Sequence, residues 1–230
     1  MGIKERKERE KEARREEIIS AAEKVFFEKG LVAATMDEIA ERAELSKGTI
    51  YLYYKSKEDL YIAAALRGWD LLARMFEEAT ATGEPPLKLI ENLGNAYYAY
   101  FLQHRDYYRM AYLYEHREMH TLISGEMVDQ CNLSNKRIWG CVCAPIQMAQ
   151  EEGLIRDDIK PMEASVMLWA NCDGLMRLID QDEKVWLEEM GIHLESLLRK
   201  SNRLLVEGML TEKGKKQMAG LFELTPTATQ

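Results

Sequence analysis

The chain has 230 residues, a formal net charge of −8, 47% hydrophobic residues and 30% charged ones. That size allows one large domain or two small ones with a workable core, and the low glycine and proline content excludes a fibrous or disordered chain. No apolar run approaches the ~20 residues needed to cross a bilayer, and the N-terminus is a charge run without the apolar stretch of a signal peptide, so a cytoplasmic protein is expected. The four cysteines suggest no disulfide framework, which suits that compartment.

Negative net charge argues against indiscriminate binding to nucleic acid, but the charge is unevenly spread. Residues 1–15, "MGIKERKEREKEARR", hold seven basic and four acidic side chains, a locally positive arm. Over residues 16–29, Ile18, Ala22, Val25 and Phe26 fall on one helical face, and Gly30 ends the helix. Thr35 with Glu38 forms a capping box for a short helix in which Met36, Ile39, Ala40 and Ala43 share one side. After only Glu44 and Leu45, Ser46 offers a new N-cap, flanked by Leu45 and Ile50 as a hydrophobic staple. Ser56 and Asp59 then open a fourth helix running toward Thr80. Two short helices joined by so tight a turn describe a helix-turn-helix.

The stretch "LSKGTIYLYYKSK", residues 45–57, lacks any acid in an acidic protein and holds three lysines and three tyrosines. With Ser46 as cap, Ile50 and Tyr54 face the core, leaving Lys47, Gly48, Thr49, Tyr51, Leu52 and Tyr53 for the N-terminal end and the outer side. A helix start attracts phosphate, and Gly48 lets a backbone come close. Lys47 can reach a base edge or a phosphate, Thr49 can donate or accept, and Leu52 can touch a thymine methyl. The hydroxyls of Tyr51 and Tyr53 suit phosphate oxygens. Lys57, oddly placed in the first turn of its own helix, fits a phosphate contact as well.

The segment "TMDEIAERAELSKGTIYLYYKSKEDLY", residues 35–61, resembles the helix-turn-helix of the tetracycline-repressor (TetR-like) family of bacterial one-component regulators, with a specific match over residues 18–66. The resemblance implies that Thr35 meets phosphate, that Lys47, Gly48, Thr49 and Leu52 face the major groove, and that Tyr51, Tyr53 and Lys57 hold the DNA backbone. Tyr53 departs from the pattern, standing where many relatives carry His. The resemblance further implies a dimer whose C-terminal domain binds a small inducer that releases the operator, and no enzymatic activity.

"TGEPP" at residues 82–86 is the clearest break in the chain, and everything beyond it reads as helix. Leu87, Ile90, Gly94, Tyr97, Tyr98 and Phe101 form one stripe, and a helix bent by Pro145 is expected over residues 125–153. Trp169, Cys172, Met176 and Ile179 form a stripe beside Leu168, Leu175 and Leu178, and Leu187, Met190, Leu194, Leu197, Leu198 and Leu205 build another on a final long helix. Faces this wide have two partners, so the last two long helices are expected to form a four-helix homodimer interface, with an intramolecular core as the alternative.

The expected organisation is all-α. Residues 1–80 form a helix-turn-helix DNA-binding domain with its basic arm and linking fourth helix, residues 81–212 a ligand-binding and dimerisation domain, and residues 213–230 a flexible tail. An apolar ligand pocket lined by Tyr97, Phe101, Tyr108, Tyr112, Trp139, Met148, Trp169, Cys172 and Met176 would suit an aromatic, acyl or drug-like inducer. No cofactor is expected. His116 and His120 stand at i, i+4 beside Glu115 and Glu118, but without the HExxH order such pairs arise by chance on charged helices, and Cys141 and Cys143 point to nearly opposite sides. The expected partners are a near-palindromic operator in double-stranded DNA, a small-molecule inducer and a second copy of the chain, with no membrane. The competing reading is a helical small-molecule-binding protein or enzyme without a DNA role, which no nucleophile, base and orienter set supports.

Overall fold

The computed structural model describes residues 2–114 and 117–223, except for the side chains of residues 3, 112–118, 120 and 220–223. The described helices are α1 (Ile3–Ala33), α2 (Met36–Arg42), α3 (Lys47–Tyr51), α4 (Lys57–Thr80), α5 (Pro86–Gln103) and α6 (Arg105–Tyr114), then α7 (Arg117–Leu122), α8 (Gly125–Glu151), α9 (Pro161–Met190), α10 (Leu194–Met209) and α11 (Glu212–Glu223). Among the described residues no strand forms; a single antiparallel bridge joins Ile155 and Leu210. The all-α class is as expected. None of the described helices is long and apolar enough to cross a membrane.

Three stretches differ from the pattern-based reading. The first helix begins at Ile3 rather than near residue 16, because Lys, Arg and Glu are good helix formers and are tied by Arg6 to Glu10 (2.7 Å) and Arg14 to Glu17 (2.6 Å). At Gly30 (φ +72°) α1 breaks as expected, and residues 31–33 make one further turn. The apolar positions from Leu187 to Leu205 do not share one final helix: Gly191 (φ +65°) caps α9 in the left-handed conformation, its N–H donating to the Leu187 carbonyl at 3.1 Å, and α10 starts afresh at Leu194. Residues 213–223, part of the segment 213–230 expected to be a flexible tail, lie in α11.

The chain forms two compact units, Met1–Leu71 with His104–Asn135, and Leu72–Gln103 with Lys136–Gln230. They interleave along the sequence, because α6 and α7 return to the unit of the first helices. In that unit Ile18, Ala22, Ile39, Ile50, Leu60 and Ile62 are sealed from solvent, each burial contributing roughly 1.5–3 kcal/mol for the larger side chains. Phe26 meets Tyr61 edge-on (5.0 Å between centroids), and Phe27 meets Tyr107 likewise (5.2 Å). A polar node joins α1, α4 and α6: Arg67 donates to Ser20 (3.1 Å) and Glu23 (2.7 Å), and the Tyr107 hydroxyl donates to the other oxygen of Glu23 (2.7 Å). Burial first, then the Glu23 bond and charge, push the Tyr107 hydroxyl up, so it stays a donor. Gly68 makes room for that tyrosine, since a Cβ there would lie 2.6 Å from Tyr107 Cβ. Buried Asp59, in the first turn of α4, accepts the Ser124 backbone N–H that precedes α8 (2.7 Å).

The second unit packs Leu87 and Ile90 of α5, Ile146 and Ala149 of α8, Ala164 of α9 and Met209 of α10 around one apolar cluster. Helix α11 docks on the turn after α8. Thr211 donates its N–H to the Leu154 carbonyl (2.9 Å) and its hydroxyl to the Gly153 carbonyl (2.7 Å), while Lys213 reaches the Glu152 carbonyl (2.6 Å). Gly214 lies so close that a Cβ would sit 2.1 Å from the Leu154 oxygen. Gly214→Ala should therefore destabilise the fold by about 1–3 kcal/mol and lower the melting temperature by several degrees. Gly208→Ala, in α10 with nothing within 4 Å of the new Cβ, should instead stabilise by about 0.5–1 kcal/mol. Thermal denaturation followed by circular dichroism checks both, and equal effects would contradict the docking of α11.

Candidate nucleic-acid interface

A seven-residue α2 and a five-residue α3 are too short to be stable helices alone, so their ends must be satisfied by side chains. Thr35 caps α2 reciprocally. Its hydroxyl accepts the Glu38 N–H (3.3 Å) and donates to Glu38 Oε2 (3.0 Å), and the same oxygen accepts the Thr35 N–H (3.1 Å). Lys29 of α1 holds the second oxygen of Glu38. Its hydrogen bond, then those of Thr35, keep that carboxyl below its ordinary range.

The turn between α2 and α3 closes with the Leu45 N–H on the Ala40 carbonyl (2.9 Å) and the Glu44 N–H on the Glu41 carbonyl (3.1 Å), a Schellman arrangement. It forces Glu44 to φ +54°, a position usually taken by glycine. Composition gives no warning of this, because the turn hydrogen bonds rather than the residue type impose it. Ser46 then caps α3, its hydroxyl accepting the Thr49 N–H (3.1 Å) and sharing a hydrogen with the Thr49 hydroxyl (2.8 Å). Ile50 and Tyr54 are buried beneath, and burial pushes the Tyr54 hydroxyl up to about 12.

What remains outside is the stretch singled out from the sequence. Lys47, Gly48, Tyr51 and Leu52 are exposed, Thr49 and Tyr53 half-buried. Leu52 is 83% exposed, a large apolar side chain held in water just past the last turn of α3. Nothing inside the fold requires a glycine at 48, since a Cβ would meet only Ser46 Oγ at 3.8 Å. A helix of one turn has little dipole, so attraction for phosphate at this edge must come from side-chain charge.

Two lysines have partners that sequence spacing did not reveal. Lys57, expected at phosphate, is half-buried and donates to the carbonyls of Ala34 (2.8 Å) and Val32 (3.4 Å), closing the end of α1 against the start of α4. Lys47 bonds Asp37 of α2 (2.8 Å), and this hydrogen bond raises its pKa above the ordinary lysine value. Both members of the pair are largely exposed, so the bond is weak and easily exchanged for a phosphate or a base.

Of the residues expected to line a ligand pocket, Tyr97, Phe101, Trp139, Trp169, Cys172 and Met176 all belong to the second unit. Tyr97 is buried there, donating to Asp173 (3.3 Å) and accepting from the Trp169 indole (3.2 Å), while Arg177 donates to the other Asp173 oxygen (2.7 Å). Burial first, then the Asp173 charge, push the Tyr97 hydroxyl well up. Trp139 stands edge-on to Trp169 (5.9 Å), and Phe76 to Tyr97 (6.1 Å). Phe101 and Met176 are fully buried, and Cys172 bonds Asn202. Met148 is 42% exposed on α8, and Tyr108 is buried in the first unit. The side chains of Tyr112 and His120, and all of His116, lie outside the described residues. Among the described residues no cluster of His, Cys, Asp and Glu is arranged to hold a metal.

Asp37→Asn should release Lys47 and remove a carboxylate from the exposed edge, tightening binding to duplex DNA by about two- to fivefold at moderate salt. Titration by fluorescence anisotropy checks this; unchanged or weaker binding would mean that Asp37 does not compete for Lys47.

Residues 18–64 match the sequence model described as bacterial regulatory proteins, tetR family. An uncharacterized HTH-type transcriptional regulator of Bacillus subtilis, YhgD, is 29% identical over 173 residues, 74% of this chain and 85% of that one. The transcriptional repressor KstR2 of Mycolicibacterium smegmatis is 26% identical over 148 residues, 64% of this chain and 70% of the repressor. Among solved structures, the transcriptional regulator FadR of Bacillus subtilis, in complex with stearoyl-CoA, superposes with a TM-score of 0.63 at 20% identity, covering 84% of this chain and 98% of that one. Capped short helices, an exposed outer edge and these relatives agree: residues 18–64 form a helix-turn-helix of the tetR type, and the relatives that the chain matches are transcriptional regulators.

Proposed function

We propose that the protein is a one-component repressor that binds a near-palindromic operator as a homodimer and leaves it when a small apolar or aromatic inducer binds. The observation that carries this reading is the outer edge of α3, where Lys47, Gly48, Thr49 and an 83% exposed Leu52 stand together with no role in the core. Such a set suits the major groove, with Lys47 on a base edge, Leu52 on a thymine methyl and the backbone close at Gly48. Thr35, Ser46, Tyr51, Tyr53 and Lys57 flank it as candidates for phosphate. Lys57 keeps its ammonium at the end of α1, so its role would be to hold the head together and to offer a remaining N–H to the DNA backbone.

Residues 1–80 would carry recognition, and residues 81–212 sensing and pairing. A homodimer through α9 and α10 is supported by the large apolar side chains left in water on them: Met162, Val166, Met167 and Met190 on α9, Leu197 and Leu204 on α10. Two heads then read half-sites about 34 Å apart, or a multiple of that spacing. The aromatic group around Tyr97, Trp139 and Trp169 supports an inducer with apolar bulk, and the stearoyl-CoA bound by FadR makes a long-chain acyl thioester a sensible first probe. An inducer that binds one head spacing better than another shifts the population off DNA.

Footprinting on DNA upstream of the coding region should show a protected inverted repeat. On that site Lys47→Ala should change sequence preference, whereas Lys57→Ala should weaken all duplexes alike and flatten the salt dependence by about one unit of slope. Equal loss of slope in both variants with preference intact would overturn the division of roles. In a thermal-shift panel of acyl thioesters and aromatic compounds, a ligand at about 100 times its Kd should add about 2.7 kcal/mol of stability and also release the operator. A compound that stabilises without releasing DNA would not be the inducer.

A further inference from the structure

The charged arm carries a pattern that the helix-turn-helix does not account for. Because α1 runs unbroken from Ile3 to Lys29, the direction in which each arm side chain leaves the helix follows from its spacing to the buried positions. Taking Ile18 as reference at ~100° per residue, Ala22 and Val25 lie within about 40° of it, and so do Lys4, Lys7, Lys11 and Arg14, with Arg15 at about 60°. All four acids of the arm, Glu5, Glu8, Glu10 and Glu12, lie at about 80° or more, and Arg6 and Arg9 point to the far side. The arm thus bears an acid-free basic stripe in line with the face that Ile18, Ala22 and Val25 bury in the head.

Residues 4–13 are exposed and Arg14 and Arg15 half-buried, so the stripe is on the surface. Its root lies beside the end of the recognition segment, where Arg15 and Glu12 are, after burial, the charges that act most on the Tyr54 hydroxyl. From there the arm extends about 20 Å at 1.5 Å per residue, more than half of a ~34 Å turn of DNA. Ala13 is the only apolar side chain from residue 4 to residue 15. A partner helix or a lipid surface would need an apolar face, and residues 4–15 have none. A row of cations without apolar neighbours fits the phosphates of duplex DNA.

We infer that the basic stripe of the N-terminal arm is a second DNA contact, which follows the backbone flanking the half-site without reading sequence. It deepens the proposed function and rests on it for the placement of the DNA. The arm supplies affinity and salt dependence, and α3 supplies preference.

The test compares K7Q/K11Q, on the stripe, with R6Q/R9Q, on the far side, each removing two charges from the full-length protein. Both are titrated with a random-sequence duplex and with the footprinted operator across a salt series, and circular dichroism verifies their helicity. K7Q/K11Q should weaken binding to both duplexes several-fold and flatten the slope of log K against log salt by about 1.8, leaving the ratio between operator and random duplex unchanged. R6Q/R9Q should stay near the wild-type slope. An unchanged slope in K7Q/K11Q, or an equal loss in both variants, overturns the stripe. The proposed function fails separately, if the wild-type protein binds the operator no more tightly than the random duplex.

Discussion

The exposed edge of α3, proposed to read DNA, depends on the capping of two helices too short to exist alone. A five-residue α3 gains little from its own backbone bonds, and it keeps its shape because Ser46 holds its first turn while Ile50 and Tyr54 anchor it from beneath. The same economy governs α2, held by the Thr35 and Glu38 pair at one end and the Schellman turn at the other. With its ends and inner face committed, α3 has only its outer side chains left for a partner. Rigid presentation of a few side chains is what readout of base edges requires, since a loosely held Lys47 would lose in ordering entropy what it gains in contact.

Other interactions fix how this small head is built. Lys57 closes the end of α1, and Arg67 joins α1 to the middle of α4 through Glu23. Tyr107, from a helix far along the chain, completes that node with a hydrogen bond to Glu23 and a close fit over Gly68. Asp59 adds a second tie to the start of α8. Each is a buried or half-buried polar contact whose loss would leave a charge or a carbonyl without its partner, so the head and the helices that return to it form one tightly specified unit.

Much of this was legible from residue spacing. The capping boxes, the tight turn and the buried Ile50 and Tyr54 are local features, and local patterns report local structure. The starts of α4 and α8 and the break at Gly30 were equally plain. Legibility stopped where distant segments meet. Nothing in the spacing of "KSKED" reveals that Lys57 caps α1, and Asp37 shows itself as the partner of Lys47 only once α2 and α3 are folded. Gly191 divides an apolar pattern that reads as one helix, because a stripe cannot show that the chain turns in its middle. Residues 213–223 look polar enough to fray, but Thr211 and Gly214 fasten their helix to the turn after α8. In the second unit, the tyrosines and tryptophans are identifiable by type, yet only the fold decides that Tyr97, Trp139 and Trp169 form one group while Met148 faces water.

The central claim is that the exposed edge of α3 reads a defined DNA sequence in two symmetric copies. Selection from a pool of random duplexes by the full-length protein at physiological salt, followed by sequencing, tests it most directly. The account predicts enrichment of an inverted repeat whose half-site centres lie one or two helical turns apart. A pool that stays random after repeated rounds, or that enriches a single unrepeated site, would contradict it.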